Sequence, residues 1–571
     1  MVRKKTAGKG RPKVKRLIKR NKNRKLKRTS PKSPKKVQKV RRTLKKTAGR
    51  GRPKKSKPLR LPKFKKEKKI SIKLIIQNIP NNPANISKET FDVKNFIGGV
   101  WKSSPSNSTF NSMNPSNHID TVAIVTKSNF EDVKEAITEA KLNLEEWKES
   151  ACEIRAKILF RTAQLLEDQK EMLSNLIVRE IGFTKSESDE EVRKAISHAY
   201  HLAGEGTRLD SVYIEGNNND NYLKREPLGI FAIITPWCSP LEVPVNKIFS
   251  ALVAGNTVVF KPARSASTCG MFIVKALEKA GLPRGVLNLI LGSGSELGSY
   301  LISHADVDGV SFTGSTNVGK LIGGSCGTRF KKHELNLGDK SAMVVLSDAD
   351  INESVDAGLI GAFRNAGQRC NSTSRIIVID KIYDKFVERF VNLTKKLSIA
   401  PSHQLYCEIC PLIDEVSFSR VNEVVRIGRN EDRANMILGG GRYFVEDCKN
   451  GFFYEPTIFI DVIPEMNISQ QESLGPVVCI MRAKNEKDVV RIVNSSSYGL
   501  VASIFSSNVS KAHKIADQLD VGIVNINLPT IHSEPEAPFV GRKDSGSGHM
   551  RGGSHSLDSF TEIKVVSVSK K

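Results

Sequence analysis

Acidic side chains are all but missing from the first 70 residues: Glu67 is the single one, against 34 lysines and arginines. The other 501 residues hold 56 of the chain's 90 basic residues and 59 of its 60 acidic ones. The formal charge of +30 is therefore confined to one end, and a near-neutral body follows it. The charged end is also poor in aromatic and branched apolar residues. It cannot bury enough apolar surface to offset the entropy of ordering, so residues 1–75 read as a disordered basic tail.

Long apolar runs are missing too. The best, "GIFAIITPW", falls far short of the roughly 20 residues of a membrane span, so no membrane association is expected. No apolar stretch near the start reads as a secretory leader. The nine cysteines are scattered and odd in number, which fits a reducing compartment rather than a disulfide framework. One CxxC occurs, Cys407 to Cys410. It has neither a second pair nor histidines at ligand spacing, so no metal is expected.

What the tail does contain is a repeat. "KKTAGKGRPK" (4–13) recurs as "KKTAGRGRPK" (45–54). Arg50-Gly51-Arg52-Pro53 resembles the core of the AT-hook, and Gly10-Arg11-Pro12 is a looser copy. Glycine lets the backbone sit low in a narrow groove, proline keeps it extended, and the arginines lie along the negative floor of A·T tracts. A·T-rich DNA is thus an expected partner, with a nonspecific polycation or import signal as the plainer alternative. Either implies a nuclear protein, a cytoplasmic one being the other option.

From about residue 120 the chain alternates short apolar runs with amphipathic stretches. "GIFAIIT" (229–235), "NTVVFKP" (256–262), "GVLNLILG" (285–292), "GVSFTG" (309–314) and "SAMVVLS" (341–347) read as buried parallel strands, with a helix over 267–281. "SRIIVI" (374–379), "VCIMRA" (478–483) and "LVASIFS" (500–506) imply a second α/β layer. The fold class is α/β, with an open doubly wound sheet that binds ligands at the carboxyl ends of its strands. Four stretches fall at such ends: "TPWCSP", "KPAR", "FTGSTNVGK" and "LNLGDK". "GSGSELG" (292–298) has the wrong spacing for a dinucleotide fingerprint and reads as a turn.

These stretches, with "NAGQRC", "YEPTIF", "QESLGPV", "SSYGLVASIFS" and "FTEIK", resemble in order and spacing the aldehyde dehydrogenase superfamily, over roughly residues 90 to 567. The resemblance implies a Rossmann-type dinucleotide-binding domain (76–210 and 228–337) and a catalytic domain (338–552). It also implies a small oligomerisation element (211–227 and 553–571) that assembles homodimers or homotetramers. An aldehyde would be oxidised with NAD or NADP. Cys370 matches the nucleophile, Lys261 the lysine on the adenosine ribose, and Glu472 the acid on the nicotinamide ribose. Gly314, Ser315 and Gly319 match the phosphate turn, while Thr235, Pro236, Trp237 and Gly338 fall on further cofactor-binding positions.

Three departures stand out. Cys238 replaces the oxyanion-holding asparagine of the family, and a thiol is a weak donor. Asn336 replaces the glutamate that deprotonates water, and Glu334, two residues away, does not fill its place. Family members that pass the acyl group to coenzyme A also have asparagine there, so acyl transfer to a thiol and loss of deacylation both stay open. Arg264 stands where NAD-preferring members carry an acid, which points to a 2′-phosphate or to solvent. Two functions follow: an aldehyde dehydrogenase with hydrolysis impaired or redirected, or a noncatalytic scaffold or nucleotide sensor on DNA.

Overall fold

A computed structural model describes residues 88–209, 211–548 and 551–570. Arg11, Pro12, Arg50, Gly51, Arg52 and Pro53, with the whole 1–75 tail, lie outside the described residues.

The apolar runs form strands because both of their faces are covered. Five parallel strands lie in the order Lys332–Asn336, Gly309–Thr313, Ile230–Ile234, Thr257–Lys261 and Leu287–Leu289, extended by the antiparallel Asn95–Ile97 and Val100–Lys102. Along Ile230–Ile234 every residue is buried, and alternate side chains enter different cores. Phe231 and Ile233 pack with the helices Glu242–Val253 and Ser267–Ala280. Ile230, Ala232 and Ile234 pack with Phe130–Leu142 and Gly294–Ser303. A strand sandwiched in this way needs apolar residues in continuous series rather than alternation. The stretch at 292–298 read as a turn instead opens the helix Gly294–Ser303, because Ser293 Oγ accepts the N–H of Ser295 and caps it.

After the edge strands Asn95–Ile97 and Val100–Lys102, the chain enters the middle of this sheet at Ile230–Ile234, builds outward to Leu287–Leu289, and then returns to add Gly309–Thr313 on the other side. The reversal between Ile230–Ile234 and Gly309–Thr313 leaves a crevice at the carboxyl ends of these strands. The run at 341–347 belongs to a second seven-stranded sheet, not to the first. Its order is Asn435–Leu438, Thr457–Ile460, Val477–Ala483, Arg375–Ile379, Ala342–Val345, Val501–Phe505, Ile523–Ile526, parallel apart from the first edge strand.

A third, antiparallel sheet joins Asn219–Pro227 to Thr561–Ser569, paired from Thr561↔Pro227 to Ser569↔Asn219, with Val212–Glu215 on its edge. Val212, Tyr213, Ile214, Ile563, Val565 and Val568 on it are exposed. Among the described residues no helix is long and apolar enough to cross a membrane.

One polar cluster sits inside the first sheet. Register places Ser311 opposite Glu334, and Lys247 comes down from the helix Glu242–Val253. Lys247 Nζ donates to Ser311 Oγ (2.7 Å) and Glu334 Oε2 (3.1 Å), and both charged groups are almost fully buried. Removing one member of a buried pair strands the other charge, at about 3–5 kcal/mol. Lys247→Ala is therefore expected to lower the urea midpoint sharply, and adding Glu334→Leu to recover most of the loss. Equal midpoints for native chain and single variant would refute the pairing.

Candidate active site

The ends of three adjacent strands meet at the crevice. Thr235, Pro236, Trp237 and Cys238 follow Ile230–Ile234; Gly314 and Ser315 follow Gly309–Thr313; Leu337 and Gly338 follow Lys332–Asn336. Each end carries buried polar atoms without a protein partner: Thr235 Oγ1, Thr313 Oγ1, and both Oδ1 and Nδ2 of Asn336. Buried polar atoms are nearly always paired, so three orphaned strand ends in a row fit a crevice built around a polar ligand. The helix Thr316–Gly327 starts here with Ser315 as its N-cap, and the Ser315 side chain makes no capping bond. Its first-turn N–H groups remain available to an anion. Gly314 is not free in the same way, since its N–H goes to the carbonyl of Asn336 (3.2 Å). Gly319 is needed for packing: a Cβ there would come within 2.3 Å of Leu337.

Lys261 ends the neighbouring strand. Its ammonium lies between the carbonyls of Pro262 (3.0 Å) and Gly292 (3.1 Å), and burial, helped by the charge of Arg264, lowers it to about 8. Arg264 is exposed, with its guanidinium 4.5 Å from the Phe110 ring centroid. The donors present here, an ammonium and free helix N–H groups, fit the phosphates and hydroxyls of a dinucleotide.

Cys370 sits on a loop held from several sides. Asn365, Ala366 and Gly367 have φ of 54°, 50° and 66° in succession. Left-handed conformations at the two non-glycine residues cost about 1–3 kcal/mol each and persist only under outside constraint. The constraint comes from the helix Lys185–Glu205. Glu187 accepts the N–H of Asn365 (2.5 Å), and Glu190 pairs with Arg364 (2.7 Å). Glu191 accepts from Ser239 Oγ (2.7 Å) and pairs with Arg369 (3.5 Å). Fully buried Gln368 donates to the carbonyls of Asn365 and Pro411 and accepts the N–H of Ile413. A side chain at Gly367 would strike the Gly475 carbonyl at 2.3 Å. Among the described residues, the backbone N–H of Cys370 has no acceptor, which leaves it open to a developing oxyanion.

The half-buried Cys370 opens on a small cavity, with room for about one water, shared with Asp339, Arg369, Glu472 and Leu474. Glu472 presses on Gly338, where a Cβ would lie 2.6 Å from its carboxylate, and accepts the N–H of Asp339 (3.1 Å). Burial and the charge of Asp339 push Glu472 up to about 7, against Arg420 and Lys340. Burial raises Cys370 to about 11; Arg551 opposes this, while Glu472, Asp339 and Glu242 add to it. Cys238 is raised further, by burial and then by Cys370, its strongest charged neighbour.

The motifs did not disclose Asp339, Arg551, Glu187, Glu191 or Gln368. Only Glu187 carries a local signal, the Thr-x-x-Glu capping box of "TKSE", which is formed at Thr184 and Glu187. Cys407 and Cys410 are buried, and Cys407 donates to the carbonyls of Ala400 and Ile409.

Known proteins resemble this chain in sequence and fold. The aldehyde dehydrogenase family model matches residues 101–566. Alpha-ketoglutaric semialdehyde dehydrogenase of Bacillus subtilis is 36% identical over 83% of this chain and 97% of its own. An NADP(+) succinate-semialdehyde dehydrogenase of Escherichia coli is 32% identical over 83% and 97%. A solved betaine aldehyde dehydrogenase from Staphylococcus aureus, in complex with NAD+, is 30% identical with a TM-score of 0.82, covering 84% of this chain and 97% of that one.

The raised thiol gives a direct test. A group with pKa about 11 is almost entirely protonated at pH 7, and only its thiolate is alkylated. Iodoacetamide labelling of Cys370, followed by peptide mass spectrometry, is expected to rise about tenfold per pH unit from 7 and to level off near 11. A plateau already at pH 8 would contradict the electrostatics described.

Proposed function

The chain belongs to the aldehyde dehydrogenase family, and on that premise we propose that it oxidises an aldehyde with NAD+ or NADP+ through Cys370, with hydrolysis of the acyl group slowed or another acceptor replacing water. The observation that carries this is the strained, over-determined loop that opens Cys370 onto the cavity it shares with Glu472. A bound nicotinamide dinucleotide supplies the hydride acceptor. Lys261, the first turn after Ser315 and Glu472 would hold it, with Thr235, Pro236 and Trp237 along the crevice. Arg264, stacked on Phe110 and otherwise open to solvent, supports NADP+ beside NAD+.

The chain's own groups account for the rest. Cys370 Sγ adds to the aldehyde carbon. The oxyanion has the Cys370 N–H as donor, while Cys238 replaces the usual amide with a poor one, a loss on the order of 10²–10³ in rate. Asn336 cannot take a proton from water, which supports slow hydrolysis or transfer to a thiol such as coenzyme A. The exposed apolar residues of the sheet made by Val212–Glu215, Asn219–Pro227 and Thr561–Ser569 support a second copy of the chain as its cover, giving a homodimer or homotetramer.

Mixing the protein with betaine aldehyde or succinic semialdehyde and either nucleotide is expected to give a burst of reduced nucleotide, one per Cys370. A slow steady rate should follow, faster if coenzyme A is the acceptor. A chain that neither bursts nor binds nucleotide would instead be the noncatalytic scaffold.

We also propose that the tail carries the protein to A·T-rich DNA in the nucleus, through Arg11, Pro12 and Arg50, Gly51, Arg52, Pro53. The duplicated Gly-Arg-Pro supports this. Binding to A·T duplexes is expected to exceed that to G·C duplexes and to fall steeply with salt, measured by fluorescence anisotropy. Equal affinity for both would reduce the tail to a generic polycation.

A further inference from the structure

Hydrolysis of an acyl group on Cys370 needs a proton acceptor, and Asn336 is not one. The carboxylates whose charge reaches Cys370 include Glu472, Asp339 and Glu242, with Glu191 and Glu334 on neighbouring segments. Only two of these, Asp339 and Glu472, line the cavity of Cys370. Asp339 accepts from four donors, Ser341 Oγ, the N–H groups of Leu500 (3.1 Å) and Val501 (3.3 Å), and Ser545 Oγ (3.3 Å). Glu242 faces His198 (3.5 Å) and Arg551 (3.9 Å), which hold it well below the ordinary carboxylate range. Glu191 accepts Ser239 Oγ and the N–H groups of Leu241 and Glu242, and pairs with Arg369. Glu334 is sealed inside the sheet, its Oε2 with Lys247 and Ser311 and its Oε1 buried without a partner, and it does not line the cavity. Glu472 differs. Its Oε1 takes one bond, from Asp339 N–H, and among the described residues no donor reaches Oε2. It is half-buried and lines the cavity of Cys370.

We propose that Glu472 is the base for the hydrolytic half of the reaction, taking from water the proton that Asn336 cannot take. The assignment rests on the reading of Cys370 as the acylated nucleophile. The charged and titratable groups facing Glu472 are Asp339, Lys340, Arg420, Cys370, Cys238 and Tyr498. Their sum, with burial, leaves the carboxyl near 7, suited to a base at neutral pH. In the step, water oxygen bonds to the acyl carbon of the Cys370 thioester as one water proton passes to Glu472. The tetrahedral adduct then breaks its C–S bond, the sulfur leaves as thiolate and takes up the proton held by Glu472. The carboxylic acid released loses its own proton to solvent. No electrons change hands, and no nucleotide is required.

The step can be watched without nucleotide. p-Nitrophenyl acetate acetylates the full-length protein, the pH is then set between 5.5 and 9, and loss of acetyl from the Cys370 peptide is followed by mass spectrometry. In the native chain the rate should climb through an inflection near pH 7 and flatten above it. In Glu472→Gln, Cys370 should still acetylate, but acetyl loss at pH 8 should be about 10²-fold slower and the inflection should vanish. Loss at the native rate in Glu472→Gln would overturn the assignment. So would a native rate that rises tenfold per pH unit with no plateau, a result that needs no variant. Failure of Cys370 to acetylate at all would overturn the reading of the nucleophile itself.

Discussion

The site depends on one buried carboxylate, Glu191. It is fully buried, and it grips two loops that are far apart in sequence: Ser239, Leu241 and Glu242 beside Cys238, and Arg369 beside Cys370. Burial and the nearby Glu242 push this group up, and Arg369 with the accepted hydrogen bonds opposes the rise. A charge in such a place is tolerated only when its lone pairs are filled, so the two loops are as fixed as the charge is costly to strand. Glu187 lies one helical turn earlier on the same face and takes the N–H of Asn365. A single helix, Lys185–Glu205, thus sets where Cys370 stands relative to the first sheet.

That clamp explains how the left-handed run Asn365-Ala366-Gly367 is sustained. Without Glu187, Gln368 and the close Gly475 carbonyl, the non-glycine residues would relax to right-handed backbone and swing Cys370 away from its cavity. Strain here serves position. It holds Cys370 at the wall of the cavity it shares with Glu472.

The sheets were legible in the sequence because two-sided burial writes itself as continuous apolar runs, and the strands at 230–234, 257–261 and 309–313 fall inside the stretches read from them. The sheet to which each strand belongs was less legible. Ala342–Val345 looks like its predecessors and yet lies in the other sheet, since a short apolar run records burial and not its neighbours. In the site, motifs located Cys370, Lys261 and Glu472, but not what constrains them. Asp339 is one letter inside "LNLGDK", and nothing local tells that its oxygens are filled by groups from residues 500, 501 and 545. Gly314 reads as a phosphate donor from its motif, while its N–H is spent on the adjacent strand end. Contacts across hundreds of residues leave no local period to detect.

The electrostatic balance at Cys370 follows from those same distant contacts. Burial first, and then three acids, Glu472, Asp339 and Glu242, favour the protonated thiol, and Arg551 opposes them. A site arranged to maximise attack would reverse that balance. Here the negative charge is retained, and of the two carboxylates that line the cavity of Cys370, Glu472 is the one with an oxygen that no donor among the described residues reaches. Asn336, an amide, adds no negative charge to these three acids, and it cannot accept a proton from water.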